Sequence, residues 1–214
     1  MTSADPHRGQ PVLTAGIPLD QARAAVVCLH GRGAGADDIL GVAEALALPD
    51  LAYLAPEAAG SVWYPEHFQV PTARNQPWLD SALGVVGQLL DYLAASGIPT
   101  ERVALLGFSQ GACLALEYAA RNPRRYLAVF GLSGGLIGAD DELDGHAGDL
   151  AGTPVFLGCS DVDYYIPRER VERTAEVLRA LGADVTTRLY RGMGHTVNED
   201  ELISARGLLS ASKQ

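Results

Sequence analysis

The chain has 214 residues, of which 48% are hydrophobic and 20% are charged, and its formal net charge is −10. This length and composition are typical of one globular α/β domain with a full core. No basic cluster offsets the acidic charge, so we expect neither a nucleic-acid partner nor an anionic membrane surface. The sequence has no run of about 18 apolar residues, which predicts that it does not insert into a membrane.

The three cysteines are odd in number and widely spaced, which does not suit a disulfide framework or a metal site. We predict that Cys28, Cys113 and Cys159 are reduced and mostly buried thiols, as in a cytoplasmic protein. The polar N-terminal segment lacks the apolar region of a signal peptide. We predict a flexible tail over residues 1–10 and one domain over residues 11–214.

Patterns typical of strands and helices alternate along the chain. Continuous apolar runs predict strands that are buried on both faces of a parallel sheet, and apolar residues at i, i+4 and i+7 predict helices. This alternation predicts a largely parallel sheet with helices on both faces. The predicted strands are 11–17 (an edge strand), 24–29, 51–55, one from 103, 127–132, 154–157 and 184–190. The predicted helices are one from 37 or 38 to 48, 79–95, one from about 110 to 121, 168–181 and 199–209.

The strongest local signal is G-F-S-Q-G at 107–111, between an apolar strand and an alanine-rich helix. G-x-S-x-G in this context is typical of a nucleophile elbow, which holds its serine hydroxyl above the sheet edge. Glycines two residues away on either side let the strand and the helix approach closely. The alternative is a purely structural turn. We predict that Ser109 is a nucleophile.

A nucleophilic serine needs a base, and the base needs an orienting carboxylate. On a sheet of this kind the expected chain order is serine, acid, histidine. His195 follows the last predicted strand in a glycine-containing loop, so we predict that it is the base rather than an exposed loop histidine. Asp161 and Asp163 both follow the strand 154–157. Either could orient His195, or form a turn or a helix cap, and spacing does not choose between them.

The loop H-G-R-G at 30–33 follows the first buried strand. We predict an oxyanion hole made by the backbone N–H groups of Arg32 and Gln110, with His30 and Gly31 contacting the substrate. The alternative is a phosphate cradle, but the loop has neither a Lys-Ser/Thr ending nor G-x-G-x-x-G. We therefore predict no cofactor and no metal.

Two long loops interrupt the alternation, at 56–77 and 133–153. The first is rich in proline and aromatic residues, and long loops in compact domains are usually lids or binding loops. We predict that Tyr64 and Phe68 contact the substrate.

Together these segments resemble the phospholipase/carboxylesterase family, small serine hydrolases that include acyl-protein thioesterases and bacterial carboxylesterases. The resemblance runs from about residue 24 to residue 209. The residues that carry it are L-H-G-R-G at 29–33, G-F-S-Q-G at 107–111, L-S-G at 132–134, D-Y-Y-I-P at 163–167 and G-H at 194–195.

The resemblance implies a single-domain α/β-hydrolase fold. It implies that the acid is Asp163, which precedes an Ile-Pro pair, and that Trp63 lines the acyl or alcohol pocket. It also implies that the chain can form a homodimer, as some family members do. The chain departs from the family at C-S-D over 159–161, where His-Gly-Asp is common, which predicts a different local turn.

Our first functional hypothesis is a cofactor-free serine carboxylesterase that cleaves small carboxylic esters through an acyl-enzyme on Ser109. A second is a thioesterase or lysophospholipase that holds longer acyl chains in an apolar channel lined by Trp63, Phe68 and Val70. A third is a non-catalytic binding module, because a fold does not determine function.

Overall fold

The computed structural model describes residues 5–211. Seven strands and five α-helices alternate as the sequence predicts. The strands are β1 (Val12–Gly16), β2 (Ala24–Leu29), β3 (Leu51–Pro56), β4 (Val103–Phe108), β5 (Ala128–Leu132), β6 (Pro154–Ser160) and β7 (Asp184–Tyr190). The helices are α1 (Ala36–Ala45), α2 (Trp78–Ala95), α3 (Gln110–Arg121), α4 (Arg168–Ala180) and α5 (Glu199–Ala211).

The strands form one sheet in the order β1-β3-β2-β4-β5-β6-β7. Only β1 is antiparallel, and it pairs with β3 at the sheet edge; every other pair is parallel. Strand β2 is buried at all six positions and β4 at five of six, because helices cover both faces of the sheet. The prediction of a mostly parallel sheet with helices on both faces is confirmed.

The core has two parts, one on each face of the sheet. Helices α2, α3 and α4 pack on one face, where Val86, Leu114 and Val171 are fully buried. Helices α1 and α5 cover the other face with residues such as Ile39 and Leu209. The right-handed connections between parallel strands distribute the helices in this way. They also bring the loops that follow β2, β3, β4, β6 and β7 to the carboxyl edge of the sheet.

Helix α1 is shorter than the prediction of 37 or 38 to 48. It begins after Gly35 and ends at Ala45, and Ala47 has a φ of +49°. A left-handed residue cannot continue a right-handed helix, so the chain turns away before Pro49.

The N-terminal segment differs from the flexible tail that we expected over residues 1–10. The His7 side chain is 2% exposed and contacts the rings of Trp63 and Trp78, each with its centroid 5.4 Å away. The backbone N–H of Ala59 donates to His7 Nδ1 at 3.1 Å, and His7 Nε2 lies 2.9 Å from the Trp63 carbonyl oxygen. From residue 5 onward this segment packs on the domain, because a buried imidazole with two partners anchors it. Residues 1–4 lie outside the described residues.

Candidate active site

The turn between β4 and α3 has the geometry of a nucleophile elbow. Ser109 has φ +54° and ψ −119°, a conformation that non-glycine residues rarely adopt. A Cβ on Gly107 would overlap the backbone of Gly111, and a Cβ on Gly111 would overlap the Leu29 carbonyl group. Both positions therefore require glycine because the strand and the helix cross in contact. The Ser109 N–H donates to the carbonyl oxygen of Leu132 at 2.9 Å, which ties the strained turn to the neighbouring strand β5.

His195 connects the serine to a carboxylate. Its Nε2 lies 2.8 Å from Ser109 Oγ, and its Nδ1 lies 2.7 Å from Asp163 Oδ2. The Asp163 side chain is fully buried, and the His195 side chain is 18% exposed. Phe108 and Tyr165 pack on the imidazole from two sides, each with its ring centroid 5.0 Å away. The ring is therefore held by two hydrogen bonds and two aromatic contacts.

The structure separates the two aspartates that spacing left open. The second carboxylate oxygen of Asp163, Oδ1, accepts the N–H groups of Tyr165 at 2.8 Å and Ile166 at 3.1 Å. The carboxylate is thus oriented toward His195 by its own loop. Asp161 is exposed, and its Oδ1 accepts the Gly192 N–H at 2.8 Å, which joins the acid loop to the histidine loop. The geometry brings Asp163, not Asp161, to His195.

The two residues predicted to supply the oxyanion donors, Arg32 and Gln110, line the same cavity as Ser109. The N–H of Gln110 is the first of α3 and so has no intrahelical acceptor. Among the described residues, the Arg32 backbone N–H also has no hydrogen-bond acceptor. The loop passes close to the elbow at Gly31, where a Cβ would lie 3.4 Å from both the Ser109 Cβ and the Phe108 ring. Neither N–H group has an acceptor among the described residues, and their role as an oxyanion hole stays a prediction.

The side chains of Arg32 and Gln110 have a role that sequence reasoning missed. Gln110 Oε1 accepts the Trp63 N–H at 2.9 Å, and Gln110 Nε2 donates to the Tyr64 carbonyl oxygen at 2.8 Å. The Arg32 guanidinium donates to the carbonyl oxygens of Tyr64 at 2.7 Å and of Pro65 at 3.0 Å. These hydrogen bonds hold the loop 56–77 against the loop 30–33 and the start of α3.

A cavity of about 360 Å³ opens beside Ser109. The predicted contacts Tyr64 and Phe68 line it, together with Cys113 and Ile166. Arg170 supports this wall from behind: its guanidinium carbon lies 5.7 Å from the centroid of the Phe68 ring, and it donates to carbonyl oxygens of the loop 133–153. Through Arg170 the loop 133–153 thus supports this wall, although none of its residues lines the cavity.

Three predicted substrate contacts, His30, Gly31 and Trp63, do not line this cavity. Trp63 is fully buried, and its Nε1 donates to the His30 carbonyl oxygen at 2.9 Å. His30 is 1% exposed; its Nε2 accepts the Ala58 N–H at 3.0 Å, and its Nδ1 lies 2.8 Å from the Gly31 carbonyl oxygen. The expectation that the Trp63 ring lines a pocket is wrong. Both rings form a packed layer at the loop 30–33, where burial removes more apolar surface from water than a place in a pocket wall would.

The three cysteines are free and buried. Burial raises the pKa of the Cys113 thiol to about 11 and the pKa values of Cys28 and Cys159 to about 12. They therefore stay protonated at neutral pH and are poor nucleophiles. Over residues 5–211 no cluster of metal-ligating side chains is present, and no helix is long and apolar enough to cross a membrane.

Comparisons with known proteins agree with this geometry. Residues 16–212 match the family model described as phospholipase/carboxylesterase. A phospholipase/carboxylesterase structure from Dyadobacter fermentans is 40% identical, has a TM-score of 0.90, and covers 94% of this chain and 97% of its own. This likeness confirms the single-domain α/β-hydrolase fold.

Two curated relatives are acyl-protein thioesterases. Acyl-protein thioesterase 1 of Gibberella zeae is 34% identical over 116 residues, or 53% of this chain and 49% of that protein. The match thus spans about half the length of that relative. Acyl-protein thioesterase 1 of Kluyveromyces lactis is 29% identical over 163 residues, or 72% of each chain. With a family model that matches nearly its whole length, the chain belongs to the phospholipase/carboxylesterase family.

Proposed function

We propose that this protein is a serine carboxylesterase that hydrolyses small carboxylic esters through a Ser109-His195-Asp163 triad. The observation that carries the proposal is the unbroken chain of contacts from Ser109 Oγ through both imidazole nitrogens to the buried Asp163 carboxylate. Membership of a hydrolase family supports the same reading. No cofactor is needed, because the triad itself supplies nucleophile, base and acid.

In the proposed reaction, Ser109 Oγ attacks the carbonyl carbon while its proton moves to His195 Nε2. The N–H groups of Arg32 and Gln110 stabilise the negative charge on the carbonyl oxygen. His195 then donates the proton to the leaving oxygen, and the alcohol departs from an acyl-enzyme. A water molecule, deprotonated by His195, attacks the acyl carbon and releases the carboxylic acid. One ester and one water thus become one acid and one alcohol.

The cavity size favours small acyl groups. Ligand pockets range from roughly 300 to 1,000 Å³, and the cavity beside Ser109, at about 360 Å³, is near the lower end. Fixed side chains close it, since Gln110 and Arg32 fasten the loop that carries Tyr64 and Phe68. Hydrolysis of acyl thioesters, suggested by the names of the curated relatives, is the second candidate.

The test is hydrolysis of p-nitrophenyl esters from acetate to palmitate by the wild type and by Ser109→Ala. We expect serine-dependent turnover that is fastest on acetate or butyrate. A fluorophosphonate probe should label the wild type and the matched control Ser96→Ala, whose hydroxyl lies at the end of α2, but not Ser109→Ala. Turnover that rises with chain length would favour the thioesterase candidate. Turnover and labelling that survive Ser109→Ala would refute the triad.

A further inference from the structure

A second cavity meets the triad at His195. It is a groove of about 300 Å³ between α1 and the histidine loop, which we call the α1 groove. It shares only His195 with the cavity beside Ser109. The residues that form most of it are Ala34, Asp38, Ile39, Val42, Phe108 and Val197.

The position of His195 distinguishes the two cavities chemically. The imidazole contacts both Tyr165, which lines the cavity beside Ser109, and Phe108, which lines the α1 groove. An acyl group stays bonded to Ser109 Oγ after the first step, so it needs the cavity that Ser109 itself lines. The leaving oxygen must instead meet His195 Nε2 to receive a proton. The group attached to that oxygen begins at the imidazole, where the α1 groove opens.

The charge of the α1 groove restricts what it can hold. The groove is mainly apolar. Besides His30 and His195, the one ionisable side chain among its described lining residues is that of Asp38, which is exposed. Glu57 lies near the same end of α1, where its Oε2 accepts the Ala36 N–H at 2.8 Å. The Arg32 guanidinium points to the other cavity, because it is bound to the carbonyl oxygens of Tyr64 and Pro65. An anionic group would meet these carboxylates, and neither lysine nor arginine is among the described residues that line the groove.

We infer that the α1 groove is the leaving-group subsite and that it takes a small, apolar alcohol without negative charge, while the cavity beside Ser109 takes the acyl group. The inference rests on the proposed esterase function. It predicts poor hydrolysis of esters whose alcohol half carries a phosphate or a carboxylate, lysophospholipids included.

The first test fills the groove with Val42→Trp and compares kcat/KM for benzyl butyrate and methyl butyrate. We expect the benzyl-to-methyl ratio to fall roughly tenfold, the effect of losing a small apolar subsite. The ratio for methyl hexanoate over methyl acetate, which reports the acyl side, should move far less. The matched control is Glu44→Trp, which adds an indole to the exposed face of the same helix.

The second test changes charge without filling space, so it stands if Val42→Trp fails to fold. Asp38 Oδ2 accepts the Gly35 N–H at 2.8 Å, and an asparagine oxygen can keep that bond. We expect Asp38→Asn to raise the ratio of kcat/KM for 4-carboxybenzyl butyrate over benzyl butyrate about threefold, the factor for one charge pair at a water-exposed rim. Asp37→Asn, whose side chain is exposed and outside the groove, should change it less.

The outcomes separate the two proposals. If Val42→Trp alters acyl preference rather than alcohol preference, the two halves are assigned the wrong way round and the inference fails. If neither Val42→Trp nor Asp38→Asn changes the alcohol ratios, the groove is not a subsite and the inference fails, although the esterase proposal stands. If no ester shows serine-dependent hydrolysis and Ser109 is not labelled, the proposed function itself fails.

Discussion

We predict that the buried Glu201 makes the stability of the protein depend on pH and that one substitution removes this dependence. Glu201 lies in the first turn of α5 with its side chain fully buried. Its Oε2 accepts the Asn198 N–H at 2.8 Å, and its own N–H donates to Asn198 Oδ1 at 3.0 Å. Its Oε1 packs against Gly158, where a Cβ would overlap it, and no described residue donates a hydrogen bond to it. This carboxyl group joins the histidine loop to α5.

Burial raises the pKa of Glu201 from 4.5 to about 7; the Asn198 N–H opposes this, and the charge of Asp200 adds to it. Below pH 4.5 the carboxyl is protonated in both the folded and the unfolded chain, so its ionisation does not change the free energy of unfolding. Between pH 4.5 and 7 the unfolded chain releases the proton and the folded chain keeps it, so the free energy of unfolding falls as pH rises. At about 1.4 kcal/mol for each pKa unit, the full loss is on the order of 3 kcal/mol, and it is constant above pH 7.

Glu201→Gln removes the titrating group while it keeps an oxygen for the Asn198 N–H. We expect its free energy of unfolding, relative to wild type, to increase between pH 5 and pH 7.5 and then level off. Urea denaturation at half-unit pH intervals measures this difference, and any constant cost of the buried amide cancels in its slope. Glu199→Gln, an exposed change on the same helix turn, is the control. A difference that does not vary with pH over this range would refute the reasoning.

Three further predictions concern the elbow, the acid and the N-terminal segment. Gly111→Ala should abolish turnover and lower stability by about 1–3 kcal/mol or more, measured by urea denaturation, because its Cβ would press on the Leu29 and His30 carbonyl groups. Asp163→Asn should reduce kcat on p-nitrophenyl butyrate by about 10³- to 10⁴-fold with little change in melting temperature. His7→Ala should lower the free energy of unfolding by about 1–3 kcal/mol, whereas a loosely attached tail predicts no change. Burial lowers the pKa of His7, so this contribution should weaken as pH falls below 6.5, the unfolded value.

The wall of the cavity shows why loops were harder to predict than strands. The pattern that predicts a strand is local, because each continuous apolar run by itself indicates a strand that is buried on both faces. The Trp63 ring is held instead by the carbonyl oxygen of His30, from the loop after β2, and the Trp63 backbone by Gln110, the first residue of α3. An aromatic residue in a proline-rich loop suits a pocket wall and a packed layer equally well. His7 packs against the Trp63 ring in this layer, and a short polar N-terminal segment gives no reason to expect that burial.

The choice between the two aspartates has the same origin. Asp161 and Asp163 are two residues apart in a turn, where small changes in backbone direction decide which carboxylate points inward. The resemblance to a family selected Asp163, and spacing alone did not. In the structure, the N–H groups of Tyr165 and Ile166 turn the Asp163 carboxylate toward His195.

The sequence by itself determined the alternation of strands and helices, the parallel sheet and the elbow, because hydrophobic periodicity and glycine requirements are properties of short segments. It also placed Ser109 and His195 at the same sheet edge, since the carboxyl ends of parallel strands lie together. Only the tertiary structure decided which side chains face the cavities and how Arg32 and Gln110 hold the loop 56–77. It also decided that His195 lines the α1 groove as well as the cavity beside Ser109. Those features depend on contacts between residues far apart in the chain, which no local pattern contains.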